Sequence, residues 1–123
     1  MRPALQVHGS VARGVFAVAI LISLAVLFAP ADDVPFAPPG VDKLVHASLF
    51  AALALTGRWA GVSRVVLAAV LVLYGAVSEV IQGMIGRDAA VGDWLADVVG
   101  LLLGLLAWQW LARRADRRPD RLA

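Results

Sequence analysis

Three short stretches of this chain hold the residue types that can do chemistry. They are Asp42-Lys43-Leu44-Val45-His46, then Glu79-Val80-Ile81-Gln82, then Asp93-Trp94-Leu95-Ala96-Asp97, with Arg87 between the last two. Within each stretch the polar groups recur at three or four residues, a spacing that puts them on one face of a helix. A carboxylate beside an imidazole offers a general base and a general acid, and a lysine with an arginine offers a cradle for phosphate or carboxylate. Glu79 and His46 are therefore the candidate base and acid. Asp42, Lys43, Gln82, Arg87, Asp93 and Asp97 are the candidate binding residues.

The surroundings of these residues are unusual. Of 123 residues, 61% are apolar and 16% charged, the mean hydropathy is +0.82, and there is no cysteine. Soluble domains average about 45–50% apolar and 25% charged, and one this short buries only about two thirds of the surface its unfolded chain exposes. The apolar excess must face lipid. A disordered chain, a disulfide scaffold and a cysteine-based metal or redox site are all excluded.

The elements that position the polar residues follow from four apolar blocks. Helices are expected at about 11–29, 43–59, 63–85 and 94–111, which makes the fold an all-α, integral membrane four-helix bundle. The run from Val15 to Ala29 spans only roughly 22 Å, so it needs residues from Val11 onward to approach the ~30 Å hydrocarbon core. Ser10 is placed as its N-cap and Pro30 as its stop. The same block can also be read as a secretory signal peptide, with Arg2 and Arg13 before the apolar run and Ala29-Pro30-Ala31 as the cleavage site. The length of the run and the proline inside the site favour a retained helix.

Three prolines and a glycine make Ala31 to Val41 a loop. Asp42 and Asp93 suit helix N-caps as well as chemistry, and Gly86 suits the left-handed residue after a helix. Trp59, Trp94, Trp108 and Trp110 fit interface belts, and Gly100 with Gly104 allows a neighbouring helix, in this bundle or in another copy, to approach closely. Residues 1–112 form one membrane domain and 113–123 a basic tail.

With helices alternating in direction, Arg2, Arg13, Arg58, Arg64, Arg113, Arg114, Arg117, Arg118 and Arg121 fall on one side, nine of the eleven basic residues. The positive-inside rule makes that side, and both termini, cytoplasmic. This accounts for the basic balance of the chain without nucleic acid, since no aromatic platform accompanies the arginines. Membrane lipids are the expected partner. Seven of the nine acidic residues lie at the opposite, outer end.

Helical rise places Glu79 roughly 9 Å inside its helix, and Asp97 and His46 each roughly 6 Å inside theirs. Glu79, Gln82, Asp97 and His46 thus share one layer, where an ionisable group costs about 2.5 kcal/mol or more unless it faces the bundle and finds a partner. Asp42, Glu79, Asp93 and Asp97 against Lys43 and Arg87 leave two net negative charges. A protonated acid, a cationic His46 or a bound cation would balance them. No cofactor and no metal is expected, because the layer has one histidine and no HExxH-type spacing.

The same residues resemble the VanZ-like family of small membrane proteins. The likeness rests on Asp42-Lys43-Leu44-Val45-His46 with Phe50, Glu79-Val80-Ile81-Gln82, Arg87, and Asp93-Trp94-Leu95-Ala96-Asp97-Val98-Val99-Gly100 with Gly104, over about half the chain. It implies a multi-pass protein of the bacterial inner (cytoplasmic) membrane, set in the cell envelope and linked to susceptibility to the glycopeptide teicoplanin. It names no reaction. Asp97 stands where the family usually has asparagine, which adds a carboxylate.

Three functions are open on the sequence. The outer-facing site binds or modifies a lipid-linked or cell-wall component; or the polar layer is a proton relay or transport path; or it only ties together a structural, partner-binding subunit. A relay needs polar residues that continue to the cytoplasmic side, and the sequence has none comparable.

Overall fold

The computed structural model describes residues 9–28, 40–85 and 91–116. They form four helices, α1 (Ser10–Leu27), α2 (Val41–Trp59), α3 (Arg64–Met84) and α4 (Val91–Asp116), and no strand occurs among the described residues. Leu, Ala and Val dominate all four. In lipid the backbone has no water to bond with, so such segments satisfy their own N–H and C=O groups as helices.

The ends of the helices correct several expectations. Gly9, not Ser10, is the N-cap of α1, and no side chain bonds there. Gly40 precedes α2 with φ 91°, a left-handed conformation that glycine adopts without a Cβ clash, so Asp42 is the second helical residue and exposed. Asp93 is likewise no cap, because α4 begins two residues earlier. Ser63 does cap its helix, its Oγ accepting from Val66 N–H at 3.3 Å. The α2–α3 turn closes at Gly61 (φ 102°), with Arg58 Nη1 donating to Val62 O at 2.9 Å. Helix α4 continues to Asp116, past the expected end at 111, and carries Arg113 and Arg114 in its last turn, where cations suit the helix dipole. Pro30 and Gly86 lie outside the described residues.

Helices α1, α3 and α4 are each long and apolar enough to cross a membrane. Helix α2 is not among them by composition, though its 19 residues span roughly 28 Å. Its place in the bundle explains the difference. It packs against each of the other three helices, and most extensively against α4, so its polar residues meet protein where those of an outer helix would meet lipid.

The close α2–α4 contact depends on glycine. A Cβ on Gly100 would run into the backbone of Ala47, and one on Gly104 would lie 2.5 Å from Ala51 O and 2.7 Å from Ala54 Cβ. The two glycines therefore serve packing inside this bundle. Leu27, Phe50, Leu53, Ala54, Leu67, Leu71 and Leu101 form the apolar core beside that contact. Helix α1 joins the core through Leu27 and through Ser23, whose Oγ donates to Ile20 O at 2.8 Å and lies 2.9 Å from Tyr74 Oη. The Tyr74 ring stacks on Phe50 with centroids 5.7 Å apart. Val18, Leu21, Leu73, Leu103 and many other large apolar side chains stay exposed, the surface a membrane protein turns to lipid.

Candidate functional site

The first two turns of α2 and α4 and the C-terminal part of α3 meet at one end of the bundle, and each delivers polar side chains to the meeting point. From α2, His46 points into the bundle and its Nδ1 lies 2.7 Å from Asp97 Oδ1 on α4. One turn earlier on each helix, Lys43 Nζ donates to Asp93 Oδ1 at 3.2 Å. The second oxygen of Asp93 lies 3.9 Å from His46 Nε2. An i, i+3 pair on α2 (Lys43, His46) is thus matched rung to rung with an i, i+4 pair on α4 (Asp93, Asp97).

Helix α3 completes the cluster with Glu79. A ring nitrogen of His46, a carboxylate oxygen of Glu79 and one of Asp93 all lie within 4.8 Å of one another. All the inner groups are buried: His46 is 3% exposed, Glu79 8%, Asp93 4% and Asp97 1%. Lys43 is different. Its side chain is half exposed, so it stands at the mouth of the cluster. Gly92 makes room for it, since a Cβ there would lie 3.0 Å from Lys43 Cε.

Small residues also let α3 approach the carboxylates. A Cβ on Gly75 would lie 3.0 Å from Asp97 Oδ2 and 3.1 Å from Trp94 Cδ1. Asp97 Oδ2 itself is buried without a hydrogen bond among the described residues. Trp94, expected as a belt residue, instead sits half-buried with Nε1–H donating to Val72 O at 3.2 Å, which ties α4 to α3. Ser78 beside Glu79 closes back on Gly75 O at 2.8 Å.

The structure brings together Lys43, His46, Glu79, Asp93 and Asp97. Gln82 is buried one turn from Glu79, and its amide donates to Leu27 O at 2.8 Å, at the end of α1. Its Oε1 has no hydrogen bond among the described residues. Asp42 is exposed beside the cluster. Arg87, like Asp32, Asp33 and Asp88, lies outside the described residues.

Sequence spacing missed the three-helix set of metal-type donors. The expectation of no metal weighed His46, Glu79 and Asp97 and rested on the single histidine and the lack of HExxH-type spacing, whereas the donors within 4.8 Å of one another are His46, Glu79 and Asp93. The usable signal was Asp93 one turn before Asp97 on the same helix face, beside the layer that holds His46 and Glu79.

The opposite end is built otherwise. A cleft of about 400 Å³ opens between the end of α2, the start of α3 and the end of α4, rimmed by Arg58, Arg64 and Arg113 over Leu105 and Trp108. Arg64 and Arg113 are exposed. Arg114 lies 4.9 Å over the ring of Trp110, a cation–π contact.

Fold and site together define an α-helical membrane protein with a buried polar cluster at one end of its bundle. No family model, no curated protein and no solved structure matches this chain.

Proposed function

We propose that the chain is a VanZ-like multi-pass protein of the bacterial inner membrane, and that its polar cluster faces outward and binds, or acts on, a lipid-linked or cell-wall component. One observation carries the reading. Four ionisable groups, His46, Glu79, Asp93 and Asp97, are buried in a small membrane bundle around a common point, with Lys43 at its mouth. Groups so costly at that depth mark a site. Lys43 would receive the phosphate or carboxylate of the ligand, with Arg87 the second cationic candidate in the sequence, and Glu79 and His46 would serve as base and acid.

A relay role has less support. Below the cluster the described core is Phe50, Leu53, Ala54, Leu67, Leu71 and Leu101, apolar toward the arginine-rich end. The arginine cleft suits lipid phosphates of the cytoplasmic leaflet, in keeping with cytoplasmic termini.

Orientation and function are tested separately. The chain has no cysteine, so Asp33→Cys and Asp116→Cys can be probed in intact cells with a membrane-impermeant maleimide. The reading requires labelling at 33 and protection at 116. His46→Ala and Glu79→Gln should abolish any effect of the protein on teicoplanin susceptibility while the protein still inserts. Full activity in both would reduce the cluster to packing.

A further inference from the structure

We infer that His46, Glu79 and Asp93 form a binding site for one divalent first-row transition ion, with Zn²⁺ the best match, and that Asp97 is the positioning residue that holds His46 as a ligand. The inference does not depend on the ligand proposed above. It starts from the imidazole. Nδ1 is 2.7 Å from Asp97 Oδ1, and an ionised carboxylate only accepts, so the proton of that bond belongs to Nδ1. In the neutral ring Nε2 then keeps a bare lone pair. That lone pair faces Asp93 Oδ2 at 3.9 Å, too long for a hydrogen bond, and both atoms offer electrons. A cation between them satisfies both.

The rest of the arrangement is that of a metal site. A metal-bound histidine almost always donates its other N–H to a carboxylate, which fixes tautomer and ring orientation and raises basicity. Asp97, 1% exposed, does this for His46. Asp93 has one oxygen on Lys43 and the other free to turn to an ion. Glu79 contributes one oxygen, and the other remains available for its own bonds. The donors come from three helices packed through glycine at Gly75, Gly92 and Gly100, so they are held by the bundle, not by a loop. A spread of up to 4.8 Å exceeds the roughly 3.4 Å between ligands of a tetrahedral zinc with about 2.1 Å bonds. Loading therefore draws the three side chains inward by rotamer adjustment. One imidazole and two carboxylates favour zinc over magnesium, which prefers oxygen alone, and three protein ligands leave a fourth position open at the mouth beside Lys43. With an ion bound, His46 and Glu79 act as its ligands in place of acid and base.

The experiment uses the full chain in detergent, purified through a tag without histidine, stripped with chelator, exposed to Zn²⁺ and desalted before elemental mass spectrometry. The expected result is one zinc per chain. His46→Ala and Glu79→Gln should each retain less than a tenth of that under the same conditions, and His8→Ala, which removes the other histidine, should retain all of it. Asp97→Asn leaves the three ligands in place and should weaken affinity about 10- to 100-fold by isothermal titration, the size expected for a residue that orients a ligand. Because His46→Ala removes the partner of Asp97 and can disturb folding, the unaltered protein is also loaded with Co²⁺. A visible absorption band of a four-coordinate ion that zinc displaces supports the site. Substoichiometric zinc in the unaltered chain, or zinc unaffected by His46→Ala, overturns it. Zinc binding without any envelope effect would remove the proposed function and leave the site, and an envelope effect without zinc would do the reverse.

Discussion

The two ends of the bundle carry charge under opposite conditions. Where α2 and α4 begin, His46, Asp93 and Asp97 are buried and meet one another at specific atoms. Where they end, Arg64 and Arg113 are exposed around an open cleft. At the exposed end, only the side of the membrane matters, because a long basic side chain can snorkel to water from many positions. At the buried end position is everything, since each charge taken from water needs a partner within hydrogen-bond reach. The exposed end places few demands on packing. The buried end depends on the whole bundle.

This contrast can be broken most severely at Gly100. Leucine there collides with the backbone of Ala47, so Gly100→Leu should separate α2 from α4 and dismantle the buried end. The variant should fail to give a folded monomer in detergent by size-exclusion chromatography, and a normal elution profile would contradict the close packing. His46→Leu is expected next in size. It leaves Asp97 buried without its partner and should cost about 3–5 kcal/mol in a reversible denaturation series. A cost below about 1 kcal/mol would mean that water reaches Asp97.

Tyr74→Phe should cost less, about 0.6 kcal/mol, as interhelical hydrogen bonds in membranes usually do, because Ser23 keeps its bond to Ile20 O. Arg64→Gln should change stability by no more than about 0.5 kcal/mol. If Arg64→Gln proved as damaging as His46→Leu, the basic end would be as tightly constructed as the acidic one, and the comparison would fail.

The exposed end was legible in the sequence for the same reason that it is tolerant. Counting arginines by loop needed no contacts. Depth along each helix was also legible: it put His46, Glu79, Gln82 and Asp97 in one layer, and the structure buries all four. Pairing was not. That Lys43 meets Asp93 and His46 meets Asp97 depends on the rotation of α2 against α4, which the spacing of either helix leaves open. Asp42 and Asp93 looked alike as caps, yet the helices start earlier, at residues 41 and 91, leaving one exposed and the other buried. Gln82 shared a face with Glu79 as expected, but its bond to Leu27 O required knowing where α1 ends. Trp94 shows the limit of composition, since an indole suited to the membrane surface found its acceptor on Val72 inside the bundle.

The separation of 51 residues between His46 and Asp97 also has a consequence for biogenesis. At ordinary synthesis rates of about 5–20 residues per second, several seconds pass between the emergence of one partner and the other. During that interval α2 must enter the bilayer, or wait beside the insertion machinery, with its imidazole and Lys43 unanswered. The newborn chain therefore has a window in which its most polar helix is its least protected one. Release of the finished α4 is what ends that window, so truncations that stop before residue 93 should be recognised and degraded as unassembled.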